Sequence, residues 1–408
     1  MGILHGNAIV GQSGGPTAAI NATLAGVIKG CLGAKDKINK LYGMRNGIDG
    51  FMREKIIDIS DSMSESDLEL LSHTPSAALG SCRYKLKSCD TDIATYEKLF
   101  DLFKKYDIRY FFYIGGNDSM DTVAKLSEYA KRQDYEMRFI GVPKTIDNDL
   151  VNTDHTPGFG SAAKFVATTV KEILRDVNVY DMKAVTIVEI MGRDAGWLTT
   201  ASALPAISGG LAPDLVYLPE RAFDLDAFTR DVRAALDRHP AVLVCVSEGI
   251  KFASGDYVGA GINGSGTDAF GHVQLSGAGK VLENYVKAEI GCKVRSIELN
   301  LPQRCASHIA SLTDITESVT LGAKAVDFAL DGNSGVMVSV ERSEGEYALK
   351  YIPKDVCLIA NRVRRVPDEY INAESNGVTD ACLEYLRPLI QGECDIVYDN
   401  GMPKHFVF

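Results

Sequence analysis

No run of lysines or arginines offsets the formal charge of -11 on these 408 residues, which argues against nucleic acid and anionic membranes as partners. No apolar run approaches the roughly 18 residues that span a bilayer. The nine cysteines are scattered, with no CxxC pair; an odd count without a framework points to reduced thiols and a cytoplasmic protein. Residues 1–8, MGILHGNA, lack the basic start and apolar core of a signal peptide. The glycine turn after the first apolar run has neither GxGxxG nor P-loop spacing, so a nicotinamide-dependent oxidoreductase is a poor reading. Internal repeats and low-complexity tracts are absent as well.

What is present is an ordinary folded composition, 46% hydrophobic, in a chain long enough for two or three domains and a large core. Its chemistry concentrates between residues 115 and 149. The apolar run 110–114 leads into Gly115-Gly116-Asn117-Asp118-Ser119, and the run 138–142 into Pro143-Lys144-Thr145-Ile146-Asp147-Asn148-Asp149. Each run reads as a buried parallel strand with its loop at the carboxyl end, where open α/β sheets place ligands. Paired glycines admit an anionic group, and a helix starting near Ser119 points its positive end at the same place. One cation, one hydroxyl and two carboxylates within six residues are the mixture that phosphoryl transfer needs.

Around this stretch, a strand at 8–10 runs into Ser13-Gly14-Gly15 and a helix over 17–30. A strand and loop over 41–50 are expected beside it, then an acidic helix over 60–72 and an amphipathic helix over 91–106. Arg83, behind Gly80-Ser81-Cys82, reads locally as a solvated residue. A second set of α/β elements follows: a helix over 161–175, strands at 184–191 and 241–246, a glycine-serine excursion at 253–279, and a strand-like run over 294–304. A helix over 321–330 and a tail without a chemical motif, 336–408, complete the chain.

Taken in order, Gly14-Gly15, the loops at 115–119 and 143–149, Met191-Gly192-Arg193, Glu248-Gly249, Arg295 and Gln303-Arg304 resemble the phosphofructokinase family over residues 8–335. The most specific element is TIDND with MGR downstream. The resemblance implies an α/β fold of two doubly wound Rossmann-like domains with the active site in the cleft between them. Residues 1–158 plus about 310–350 would form the donor and Mg²⁺ domain; 159–309 plus about 351–408 would form the fructose 6-phosphate domain and a C-terminal extension. The implied reaction passes a phosphoryl group to the 1-hydroxyl of fructose 6-phosphate, giving fructose 1,6-bisphosphate.

Carried over by position, Asp147 is the base, Thr145 bonds the moving phosphoryl group, and Asp149 with Asn117 (aspartate in most members) holds Mg²⁺ through oxygen. Gly14, Gly15, Gly115, Gly116, Asn117 and Ser119 would bind the donor, with Arg83 stabilising charge on its bridging phosphate. Ile146, Met191, Gly192 and Arg193 would line the fructose pocket and Glu248 would accept from sugar hydroxyls. Arg295 and Arg304 would grip the 6-phosphate with their planar forks, one of them from a neighbouring subunit. Leu301 stands where ATP-using members carry a histidine. A homodimer or homotetramer is the expected working form.

Two positions bear on the donor. Asp118 and Lys144 stand where typical ATP-using members have glycine. A carboxylate at 118 would fill the space of a nucleotide α-phosphate and repel its charge, while Lys144 would supply a cation to the departing phosphate. The pair resembles the pyrophosphate-dependent enzymes. The rivals are an ATP-dependent kinase and a non-catalytic regulatory subunit that keeps the fold.

Overall fold

The computed structural model describes residues 4–60, 63–260 and 277–408. The apolar runs at 8–10, 110–114 and 138–142 become adjacent strands, Gly6–Gln12, Ile108–Gly115 and Arg138–Pro143. They form the centre of a seven-stranded sheet. Its order runs Leu349–Asp355, Val336–Arg342, Arg138–Pro143, Ile108–Gly115, Gly6–Gln12, Ile38–Met44, Ile56–Asp58. The five inner strands are parallel and both edge strands are antiparallel. Strand periodicity sends alternate residues to opposite faces. Tyr110, Phe112 and Ile114 pack with Leu24 and Val27 of helix Ile20–Leu32. Phe111 and Tyr113 pack with Phe100, Phe103 and Met120 on the other side. Both faces are covered, which is why the run reads as continuously apolar rather than alternating.

The second lobe is built on a four-stranded parallel sheet, ordered Lys293–Glu298, Ala184–Ile190, Ala241–Ser247, Leu215–Tyr217. Helix Phe159–Val177 buries Val166, Val170 and Leu174 in this lobe's core. The strand-like run at 294–304 is shorter than expected. It ends at Glu298, because Asn300 turns with a φ of 42° and Pro302 starts the short helix Pro302–Cys305. The acidic helix is also shorter, Glu65–Ser72, set by a reciprocal Ser64–Asp67 cap. Of the excursion expected at 253–279, residues 261–276 lie outside the described residues.

The chain passes between the lobes four times. It leaves the first after Arg138–Pro143 and returns at helix Leu312–Leu330, which the sequence placed only over 321–330. This helix meets Ile20–Leu32 backbone to backbone: a methyl on Gly26 would stand 2.0 Å from the Val319 carbonyl oxygen, and one on Gly322 2.1 Å from that of Thr23. After Leu349–Asp355 the tail crosses to bury Val366, Tyr385 and Leu386 in the second core, and finally returns Phe406 and Phe408 to the first.

Beside these passages lies a buried charged network. His155 shares its ring nitrogens with Asp154 and Glu317, each at 2.8 Å, and Arg342 donates to Asp154 at 2.9 Å. Burial alone would lower the imidazole's pKa, but its two carboxylate partners outweigh that and push it up to about 9. The folded protein therefore holds a proton between pH 6.5 and about 9 that the unfolded chain releases. Its contribution to stability is complete below pH 6.5 and is lost as pH rises through 9. His155→Gln should lower the melting temperature most at the acid end of that window, and the gap from the parent should close towards its alkaline end. Melting curves at a series of pH values check this.

Candidate active site

Three glycine or TIDND loops leave the carboxyl ends of neighbouring strands and meet one another. After Gly6–Gln12, the buried Gln12 side chain accepts from Leu79 N–H at 2.9 Å and donates to Asn21 at 2.9 Å. This ties the first turn to the loop carrying Arg83. Gly14 N–H donates to the Cys82 carbonyl at 3.0 Å, and Ser81 Oγ donates back to the Gly14 carbonyl at 2.6 Å. In the second turn a side chain at Gly115 would stand 1.9 Å from Ser119 Oγ, so only glycine fits. The helix there begins at Asn117, earlier than expected, with Gly116 as its cap.

The third loop is held from both lobes. Thr145 N–H donates to the Pro157 carbonyl at 3.2 Å, and Thr156 Oγ1 to the Thr145 carbonyl at 2.8 Å. Asn148, with a φ of 53°, separates the two aspartates and donates to the Tyr385 hydroxyl at 3.1 Å. Asp147 N–H donates to Thr145 Oγ1 at 3.1 Å, and that hydroxyl lies 3.3 Å from Asp147 Oδ2. Lys144 is buried and its Nζ donates to the Gly15 carbonyl. Arg304 stands against the same glycine, 3.3 Å from where a Cβ would lie.

From the second lobe, Gly192 N–H donates to Glu248 Oε1 at 3.2 Å, and Met191 N–H to the buried Gln303 at 3.2 Å. Arg193 Nε donates to Asp194 at 2.8 Å. The loops enclose a cleft of about 480 Å³. Five cations (Arg83, Lys85, Lys144, Arg193, Arg304) and five carboxylates (Asp118, Asp147, Asp149, Asp194, Glu248) line it. The cleft wall is thus balanced in a chain that is strongly acidic overall, and it can accept an anion.

Burial sets the ionisation of these groups. It raises Asp147, and it pushes Asp149 up to about 7 with the help of Asp147's charge. Glu248 also rises to about 7, first through burial and then through Asp147. Lys144 falls to about 8 for the same first reason. Two half-buried carboxylates close together and a buried amine, all with shifted ionisation, are the pattern of a functional site.

Of the expected site residues, Gly14, Gly15, Arg83, Gly116, Asn117, Asp118, Ser119, Lys144, Thr145, Ile146, Asp147, Asp149, Met191, Arg193, Glu248 and Arg304 all line this one cleft. Gly115 and Gly192 form the backbone behind it. Two do not join them. Leu301 is half exposed at the start of helix Pro302–Cys305. Arg295 lies on the edge strand of the second sheet, in register with Thr186, beside a separate groove that includes Asp176 and Tyr180. Asn117 carries a further surprise: its Oδ1 accepts from Asn361 N–H and its Nδ2 donates to the Arg362 carbonyl at 2.6 Å.

Sequence reasoning missed Lys85, Asp194, Asn361 and Val363 on the cleft wall. Lys85 lies 3.9 Å from Asp118 and sits two residues beyond Arg83, while Asp194 adjoins Arg193. Spacing from those arginines was a usable signal for both. Asn361 and Val363 had none, since only tertiary structure brings the tail there.

Fold and site together define a two-lobed α/β phosphotransferase. The chain belongs to the phosphofructokinase family, whose model, described as Phosphofructokinase, matches residues 7–329. It is 43% identical to a relative from Xanthomonas campestris, with 98% of this chain and 96% of that one covered. It is 41% identical to another from Halomonas elongata, covering 98% and 95%. Both are named pyrophosphate–fructose 6-phosphate 1-phosphotransferase. The crystal structure of a pyrophosphate-dependent phosphofructokinase from Nitrosospira multiformis matches with a TM-score of 0.88 at 37% identity, covering 98% of this chain and 95% of that one. Among the described residues, no helix is long and apolar enough to cross a membrane.

Proposed function

We propose that this protein transfers a phosphoryl group reversibly from pyrophosphate to the 1-hydroxyl of fructose 6-phosphate, giving fructose 1,6-bisphosphate and phosphate. The observation that carries the choice of donor is the wall around the second glycine turn. Asp118 projects from the first turn of helix Asn117–Ala130 into the cleft, next to Lys85, and buried Lys144 is anchored at Gly15. Helix N-terminus, Arg83 and Lys144 offer charge to a short polyphosphate, and Asp118 opposes a third phosphate. The pyrophosphate-dependent names of the relatives support the same reading.

Asp147 takes the proton of the sugar hydroxyl as the new P–O bond forms, so its raised pKa does not hinder it. Thr145 orients that carboxylate and the moving phosphoryl group. Glu248 accepts from sugar hydroxyls, Met191 and Arg193 line the sugar, and Arg304 grips its 6-phosphate. Arg295 completes the site of a neighbouring copy in a homodimer or homotetramer. Mg²⁺ suits the donor set, because Asp149 and Asp147 are half-buried carboxylates that repel one another. We assign the ion to Asp149 rather than Asn117, whose amide is already bonded to residues 361 and 362. When bound, the ion neutralises charge on the pyrophosphate oxygens. The nine free thiols agree with a cytoplasmic setting.

The purified chain alone, given Mg²⁺ and fructose 6-phosphate, should turn over with pyrophosphate and should barely respond to ATP. Rapid turnover with ATP and none with pyrophosphate would overturn the donor; silence with both would favour the regulatory reading.

A further inference from the structure

We infer that residues 360–366, which cross the cleft mouth between the lobes, are a second determinant of donor choice. In this inference Asn361 and Val363 form a wall that excludes a nucleoside by volume, independently of the charge on Asp118. It rests on the pyrophosphate reading above.

Both ends of this strap are fixed. Val356 and Ile359 are buried in the first core and Val366 in the second. Between them the backbone is fastened on each side of the cleft. Asn117 holds Asn361 N–H and the Arg362 carbonyl, and Asn361 Nδ2 donates to Asp121 at 3.0 Å. Further on, Arg364 N–H donates to the Asp149 carbonyl at 2.7 Å. The Arg364 carbonyl accepts from Trp197 Nε1 at 3.1 Å, while its guanidinium lies over the Trp197 ring at 4.4 Å.

The strap is therefore hydrogen-bonded to the first residue of the very helix that faces the donor. No gap for a nucleoside exists between Asn117 and residues 361–362. Val363 is 44% exposed although apolar, and it lines the cleft where charged ligands enter. A group esterified to the departing phosphate would have to displace this side chain or break the Asn117 bonds. Asp118 acts on charge, whereas the strap acts on volume. Removing the carboxylate alone leaves the wall standing.

The test compares the ratio of kcat/KM for ATP to that for pyrophosphate across Asp118→Gly, Asp118→Gly with Val363→Ala, and Asp118→Gly with Asn361→Gly and Val363→Gly. Asn361 has a φ of 61°, so glycine suits its backbone. The ratio should rise about tenfold from the first variant to the third, the scale of relieving one steric clash in a pocket. Val363→Ala should move it in the same direction. If the third variant does not fold, the alanine variant decides. A ratio equal to that of Asp118→Gly in the variants that fold overturns the wall; general loosening gives the same null result, because it lowers both donors together. Failure of the donor reading shows separately, as a preference for ATP in the unaltered protein.

Discussion

Asn in place of Asp147 is expected to lower kcat by about 10²–10⁴-fold, the range spanned by loss of a positioned general base. The carboxylate is half-buried, bonded to Thr145 and set in the floor of the cleft, so an amide of the same shape keeps the packing and removes only the proton acceptor. KM for fructose 6-phosphate should change far less, because the loss is confined to the transition state. Steady-state kinetics in the forward direction measure both. A fall in kcat smaller than about tenfold would place the base elsewhere.

Lys144→Met should cost about 10²–10³-fold in kcat with pyrophosphate, comparable to deleting one preorganised charge donor at a developing anion. Its side chain is buried and its ammonium donates to the Gly15 carbonyl at the cleft wall. The ionisations of the free protein add a pH signature. Below about 7 Asp149 takes up a proton and loses its charge, and above about 8 Lys144 loses its own. A plot of kcat/KM for pyrophosphate against pH should therefore fall on both sides. Lys144→Arg, whose side chain stays charged, should abolish the alkaline limb while leaving the acid limb in place. An alkaline limb that survives this substitution would belong to another group.

How much of this was legible depended on how local each signal is. The strand at 108–115 announced itself because both its faces are apolar, and TIDND followed a second such run. The first half of helix Leu312–Leu330 did not, since its Asp314 and Glu317 bond to Ser161 and His155, remote in sequence, and interrupt the apolar stripe. The end of the strand at Glu298 turned on one left-handed asparagine, a conformation that sequence permits but does not impose. At the site, residues following a strand end were readable as a group. The tail residues Asn361 and Val363 were not, for their position depends on partners such as Asn117 and Trp197 that are remote in sequence.

The pairing of Val336–Arg342 with Arg138–Pro143, and the seating of helix Leu312–Leu330 on Ile20–Leu32, have a consequence for biosynthesis. The amino-terminal half emerges from the ribosome with its parallel sheet open along one border and its glycine-notched helix uncovered. The helix is covered only once Leu330 has cleared the exit tunnel and the strand border only once Arg342 has, after all four strands of the second sheet have been translated. Native burial of that early sheet must then be a late event, and the nascent chain exposes an adhesive edge while residues 144–342 are made.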